Sequence, residues 1–275
     1  MKSLIPLLFL FLLITNCMVV DLGSSRGDGI AVTEIRPLSS FSRVDLECAV
    51  HLTIKSGPEY AAYVTSDGNL SGYFHTDAFG GVLTVGLTGA IDPVVTPEIV
   101  IMVPDIQTVI HNGNGTVEIL EGGHFPNLKL QLNGGGDIHF SGTATHLQAQ
   151  LNGAGKIILD GFAALLTVDL RGSGEVSAEN LLVEDADVEL SGSGNIYLDL
   201  DYESNLNLVL SGSGNVEWWG APKGLYYNLI GSGKIIEHRG LPKKSANGSE
   251  VPATKKTAAN PGLYELINPK KAIVH

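Results

Sequence analysis

Asp137, Asp169, Glu175, Asp187 and Glu189, with Arg171 among them, are the residues best suited by type to acid–base chemistry. A glycan-cleaving site needs two carboxyls at a set separation, or a carboxylate beside a base. No spacing among these six residues singles out such a pair. The eight His residues are scattered without metal-ligand spacing. His111 falls in an inward slot of an alternating run, where a core role is expected. The run Gly134 to Asp137 has the look of a calcium-binding repeat, yet it occurs once rather than in tandem. The expectation is no catalytic residue, no metal and no cofactor. A polysaccharide-processing enzyme of the pectin-lyase-like kind is kept as the alternative.

A second set of polar residues is periodic. Thr116, Asp137, Lys156, Glu175, Asn195, Asn215 and Lys234 each follow a Gly-x-Gly. The triplets are Gly113 and Gly115, Gly134 and Gly136, Gly153 and Gly155, Gly172 and Gly174, Gly192 and Gly194, Gly212 and Gly214, and Gly231 and Gly233. Their first glycines are 21, 19, 19, 20, 20 and 19 residues apart. A phosphate-binding loop occurs once, between a strand and a helix. These seven recur, and none precedes a helical pattern. Stacked outward, Asp137, Lys156, Glu175, Asn195, Asn215 and Lys234 would form a solvated ladder, with Asp137, Lys156 and Glu175 alternating in sign.

The elements that position this ladder follow from the flanks. Val188 and Leu190 precede Gly192, and Ile196 and Leu198 follow Gly194. Leu130, Leu132, Ile138 and Phe140 flank Gly134 in the same way. Period-two alternation on both sides marks strands with one buried face. A unit of about 20 residues with so few inward side chains cannot offset its own ordering entropy. Units stacked one per coil share a continuous core and pair like strands in parallel. The fold expected is all-β, a right-handed parallel β-helix with Gly-x-Gly corners. Each coil should run strand, corner, strand and looser return. The middle residue of each corner is small, as expected if a larger one crowds the next coil.

The chain divides into four parts. Residues 1–16 read as a signal peptide, with Lys2 followed by the apolar run Leu4 to Ile14. "ITNC" places Cys17 where a lipoprotein would be acylated, although Asn16 departs from the usual small residue. Ordinary signal cleavage with an incidental Cys17 is the other reading. Residues 17–29 read as a flexible tether. Arg26-Gly27-Asp28 matches the triad read by integrins, but three residues recur often by chance and the stretch is read as a tether. Residues 30–240 form the β-helix, with irregular coils over 30–110 capping the first end and regular repeats over 111–240. Residues 241–275 form a basic tail with six Lys against two Glu, in which "GLYELI" could dock on the last coil. Cys48 reads as a buried, inert thiol. Tyr197 and Trp219, with Tyr202 and Tyr226, could form a sugar-stacking patch, although a loop or cap role is the expected one. The formal net charge of −12 disfavours a nucleic-acid partner.

The order "RPLSSFSRVDLECAVHLTIKSG", "DGNL", "GGVLTV", "PEIVIMVPDIQTVIHNGNGTV" and then the "GSGN" and "GAGK" repeats resembles the head GIN domain family of putative auto-transporter adhesins. The resemblance covers about Ile35 to Gly240. It implies a bacterial, exported β-helix with a role in adhesion. The expected function is binding or cell-envelope scaffolding without catalysis. A purely structural periplasmic role is a further alternative. The expected partners are a glycan or a host-surface protein, with a lipid anchor to a membrane. Self-association is left open.

Overall fold

The computed structural model describes residues 24–120 and 124–238, and the backbone of residues 264–265. The regular body begins with β10 (Thr108–Gly113), β11 (Thr116–Ile119) and β12 (His124–Gly134). It continues through β13 (Asp137–Gly153), β14 (Lys156–Gly172), β15 (Glu175–Gly192) and β16 (Asn195–Gly212). It ends with β17 (Asn215–Trp219), β18 (Gly224–Gly231) and β19 (Lys234–His238). These strands pair in parallel, so the molecule is a β-solenoid of about six turns with about 20 residues per coil.

Each coil bends at its Gly-x-Gly into two sheets, which we call leading and trailing. In the leading sheet Gly113, Gly134, Gly153, Gly172, Gly192, Gly212 and Gly231 stack in one column. The corner repeats its hydrogen bonds. The Gly172 carbonyl accepts from Ser193 N (2.9 Å) and Gly194 N (3.1 Å), and the Gly174 carbonyl accepts from Asn195 N at 3.1 Å. Gly192 has φ +142°, which L side chains rarely adopt. Gly194 is constrained differently: a Cβ there would strike the Gly174 carbonyl and the Leu170 side chain. The middle residue is not crowded. Asn114, Ala154, Ser173, Ser193, Ser213 and Ser232 are all exposed, so the steric limit lies on the glycines.

The return is more regular than the sequence suggests. Strands β13 to β16 run from one corner to the next; β13 and β14 stay paired through the return, as at Gly142 opposite Gly161 and Ala144 opposite Ala163, whereas β15 shifts register there against β14 and β16. Backbone ladder bonds impose this regularity while the side chains vary. The coil axis is a column of fully buried side chains: Leu132, Leu151, Leu170, Leu190 and Leu210 ahead of the corner, and Ile138, Ile157, Val176, Ile196 and Val216 after it. Burial of such a continuous apolar column is the main favourable term in the fold.

The first end departs from a stack of coils in chain order. Here lie β1 (Ser25–Arg26), β2 (Ala31–Pro37), β3 (Phe41–Leu46), β4 (His51–Ser56) and β5 (Ala61–Asp67). After them come β6 (Phe74–Phe79), β7 (Gly81–Leu87), β8 (Ile91–Asp92) and β9 (Glu98–Val103). β3 and β4 form a coil inserted between β7 with β9 on one side and β10 with β11 on the other. Its corner, Glu47 to Val50, has no glycine. The next coil outward makes a wide excursion from Gly86 to Pro97 rather than a stacked corner, and its Val85 carbonyl accepts from Glu47 N at 2.8 Å. Beyond it the sheets close with antiparallel strands: β2 and β9 flank β5, and β6 pairs with β7. The irregular coils expected here are therefore closed at their outer end by an antiparallel lid.

Residues 24–29, expected within the flexible tether, are held in place. β1 pairs with β8. Asp28 N donates to Asn69 Oδ1 (3.0 Å), and Asn69 Nδ2 donates to the Arg26 carbonyl (2.8 Å). At the other end the backbone of β20 (Tyr264–Glu265) pairs antiparallel with β19. This places part of "GLYELI" on the last coil. The remainder of the tail, the signal segment and Cys17 lie outside the described residues.

Candidate functional site

The outward side chains form rows because the coils are in register. On the trailing sheet Thr116, Asp137, Lys156, Glu175, Asn195, Asn215 and Lys234 are successive partners. His51 precedes Thr116 in the same row. Sequence spacing missed His51, because its coil has no Gly-x-Gly to align. Lys156 Nζ lies 2.7 Å from Glu175 Oε1, and Asn215 Nδ2 donates to Asn195 Oδ1 at 3.1 Å. Two neighbouring pairs of the row, Lys156 with Glu175 and Asn195 with Asn215, thus touch across coils.

The leading sheet carries amides and carboxylates. Asn133 Nδ2 donates to Asn112 Oδ1 (2.7 Å), and Asn152 Nδ2 donates to Asn133 Oδ1 (2.9 Å). Gln131, Gln150, Asp169 and Glu189 form the adjacent row. Gln148, Thr167, Asp187 and Asn207 form the next. Asn207 Nδ2 donates to Asp187 Oδ1 at 2.7 Å, and Asn205 donates to Asp185 Oδ1 through both its backbone N and its Nδ2, each at 2.8 Å. Neighbouring coils thus hold these side chains in fixed orientations, with their remaining donors and acceptors facing solvent.

Four of the six acid–base candidates share the leading sheet, with Asp169 directly opposite Glu189, and the other two do not join them. Asp137 and Glu175 belong to the trailing sheet, and Asp169, Arg171, Asp187 and Glu189 to the leading sheet. Arg171 Nε donates to Asp169 Oδ1 at 3.0 Å, and Arg171 Nη2 lies 2.9 Å from Asp169 Oδ2, making a two-pronged ion pair. No group of three or more His, Cys, Asp or Glu among the described residues has the geometry to hold a metal ion.

The aromatic candidates are likewise divided. Trp219 stacks on His238 with ring centroids 4.5 Å apart, and His238 Nε2 lies 3.1 Å from Glu217 Oε2. Tyr197 is two positions along the same sheet, opposite Glu217. Burial first, and then Glu217, Glu175 and Glu179, push its phenol pKa up, so it stays a hydrogen-bond donor. Tyr226 faces Asn207 on the leading sheet and does not join them. His111 is fully buried, and its Nε2 lies 2.9 Å from the Gly115 carbonyl.

Two buried groups serve the architecture. Asp67 is fully enclosed. Burial pushes its pKa up, but hydrogen bonds from Val95 N, Gly29 N, Val94 N and its own backbone N–H outweigh that and hold it below the ordinary value. It thereby ties the chain start to the excursion before β9. Cys48 lies in the glycine-free corner, and burial, with Glu47 adding to it, pushes its thiol pKa up to about 11. A cavity of about 230 Å³ lies among Ile54, Val103, Ile106, Ile119 and Phe125. It is smaller than the roughly 300–1,000 Å³ of ligand pockets.

Glycine corners, in-register coils and an antiparallel lid define a parallel β-solenoid. The chain belongs to the family described as putative auto-transporter adhesin, head GIN domain, which matches residues 40–222. A putative adhesin from Bacteroides fragilis has a similar structure, with a TM-score of 0.69 at 19% identity over 77% of this chain and 99% of that one. A putative lipid binding protein from Parabacteroides distasonis gives a TM-score of 0.66 at 20% identity over 78% and 99%. A putative adhesin from Parabacteroides merdae gives 0.59 at 22% identity over 78% and 98%. At these identities the likeness is one of fold. No curated protein matches the chain. The family is one of exported or surface proteins.

Proposed function

We propose that this protein is a non-catalytic binding protein of the cell envelope, anchored through acylated Cys17, which lays its leading sheet along an extended neutral glycan. The observation that carries this reading is the pre-ordered amide and carboxylate surface. Asn112, Asn133 and Asn152 are linked to one another, and Asp185 and Asp187 are each held by an Asn from the next coil. Side chains already fixed lose little entropy when a partner binds, and a hydroxyl-rich partner offers both donors and acceptors to match. The carboxylates of this sheet disfavour polyanions. A linear polymer suits a surface whose rows repeat once per coil.

The reading is tested with an array of neutral and acidic glycans and host-matrix proteins, probed with the wild type and with an Asn133→Ala, Asn152→Ala, Asp187→Ala variant. Neutral glycan binding that the variant loses is the expected result. Binding confined to a matrix protein would replace the glycan by a protein partner. Polymer cleavage abolished by Asp137→Asn or Asp169→Asn would replace the binding role by catalysis. For the anchor, labelled fatty acid should enter the wild type and not Cys17→Ser. Failure to label the protein on intact cells would favour a periplasmic structural role.

A further inference from the structure

Half of the large apolar side chains that stand exposed among the described residues belong to the lid end. Ile30, Val32, Ile35, Phe79 and Val94 are five of ten, and Phe79, Ile35 and Ile30 are 90%, 64% and 63% exposed. They ring that end. Among the described residues β2 is the outermost strand of the trailing sheet, and Ile35 shares its outer face with Tyr63. β6 is the outermost strand of the leading sheet, and its outward Phe79 enters a Gly80-Gly81 turn with both glycines at positive φ. Val32 lies against Gly68, and Val94 against Gly29. Arg36 reaches from β2 to the carbonyls of Phe74 (2.7 Å) and Ser71 (2.9 Å), which fixes the gap between the two sheets.

The chain start limits how far this end can stand from an anchor. Six residues separate Cys17 from Ser24, so an acyl chain on Cys17 is joined to the lid by about 25 Å at full extension. The strap that follows is bound to the lid through β8, Asn69 and Asp67, so it adds no slack. The trailing sheet runs eleven strands from β2 to β19, about 48 Å at the usual strand spacing. The anchor therefore keeps the lid beside the bilayer, and the far end reaches it only if the body lies flat. Lying flat would press one sheet's polar rows on the lipid and lift the other sheet's apolar rim away. An end-on stance uses both rims. Asp28, Glu34, Asp77 and Asp92 outnumber Arg26 and Arg36 on the lid, so neutral headgroups suit it better than anionic ones.

We propose that the lid end is a membrane-docking surface. Ile30, Val32, Ile35, Phe79 and Val94 seat at the headgroup boundary of a neutral phospholipid bilayer, and the solenoid stands away from the membrane. This inference rests on the acylated Cys17 of the preceding reading. Apolar side chains at the boundary supply a second contact that steadies a lipid anchor. The leading sheet then rises from the membrane with its polar rows free for a polymer.

The test is indole fluorescence of the acylated protein on phosphatidylcholine vesicles whose lipids carry a nitroxide near the top of the acyl chain. The two native indoles, Trp218 and Trp219, lie at the far end and should keep their emission. Phe79→Trp and Val94→Trp each add a lid indole, which should lose about half of its emission or more. Gln150→Trp on the leading sheet and Ser177→Trp on the trailing sheet should add indoles that lose none. Unquenched indoles at both lid positions of acylated, vesicle-bound protein would overturn this proposal alone. Quenching at Gln150→Trp or Ser177→Trp as strong as on the lid would overturn it in favour of a body lying flat. Absence of labelled fatty acid from the wild type would overturn the anchor and this proposal with it.

Discussion

A Cβ built on Gly212 would lie under 3.0 Å from the carbonyl oxygen of Gly192, its partner one coil earlier. The same clash recurs between Gly192 and Gly172 and between Gly172 and Gly153. Each corner glycine leaves room for the previous coil's carbonyl, which its own corner's N–H groups bind. The repeat is therefore a condition of stacking as well as of turning.

Gly192→Val should destabilise the protein by about 3 kcal/mol or more, because positive φ and backbone overlap act together. Ser193→Asn, one residue on, should fall within about 0.5 kcal/mol of wild type, since Asn114 occupies the equivalent exposed position. Denaturant midpoints of the two variants measure the contrast. Similar midpoints would show that the corner tolerates a side chain.

The Lys156–Glu175 pair is about one-third to two-fifths exposed, with side chains at 42% and 34%. A double-mutant cycle to Ala should give a coupling of about 0.5 kcal/mol, shrinking in high salt. A coupling above about 2 kcal/mol, insensitive to salt, would mean that the trailing row holds the coils together.

Asp67 should make the chain start sensitive to acid. Its folded pKa lies below the unfolded value of about 4. The carboxylate therefore contributes stability above that value, and the contribution disappears as pH falls through the lower folded pKa. Exchange at Gly29, Val94 and Val95 amides should quicken in that acid range. Asp67→Asn should remove the dependence and loosen the segment already at neutral pH. An unchanged pH profile would remove Asp67 from this role.

Cys48 should resist alkylation at pH 8 in the folded protein and react once it is unfolded. A thiol with its pKa pushed up to about 11 is almost wholly protonated at that pH, and burial blocks access. Mass spectrometry of iodoacetamide-treated protein distinguishes the two. Rapid labelling of the native protein would contradict the corner packing.

The regular half was legible because glycine spacing and alternation are local signals. Seven corners set the register, and from it the row from Asp137 to Lys234 could be written down in order. The first half was not legible in the same way. The β3–β4 coil carries ordinary alternation, but nothing local tells that it slots between β7 with β9 and β10 with β11. Its corner, Glu47 to Val50, lacks glycine, so the repeat signal vanishes there. Arg26 to Gly29 read as a tether because their partners, Asn69, Asp67 and Asp92, are distant in sequence. The six charged candidates could be grouped by type alone, whereas the corner assigns them to two sheets.

Equilibrium binding of neutral glycan polymers is the most direct test of the binding role. Wild type should be compared with the Asn133→Ala, Asn152→Ala, Asp187→Ala variant of the leading sheet and with Asn195→Ala, Asn215→Ala on the trailing sheet. The leading-sheet variant should bind about tenfold or more weakly, equivalent to about 1.4 kcal/mol, with the trailing-sheet variant unchanged and the polymer intact. Equal affinity in all three proteins, or shortening of the polymer, would contradict the account.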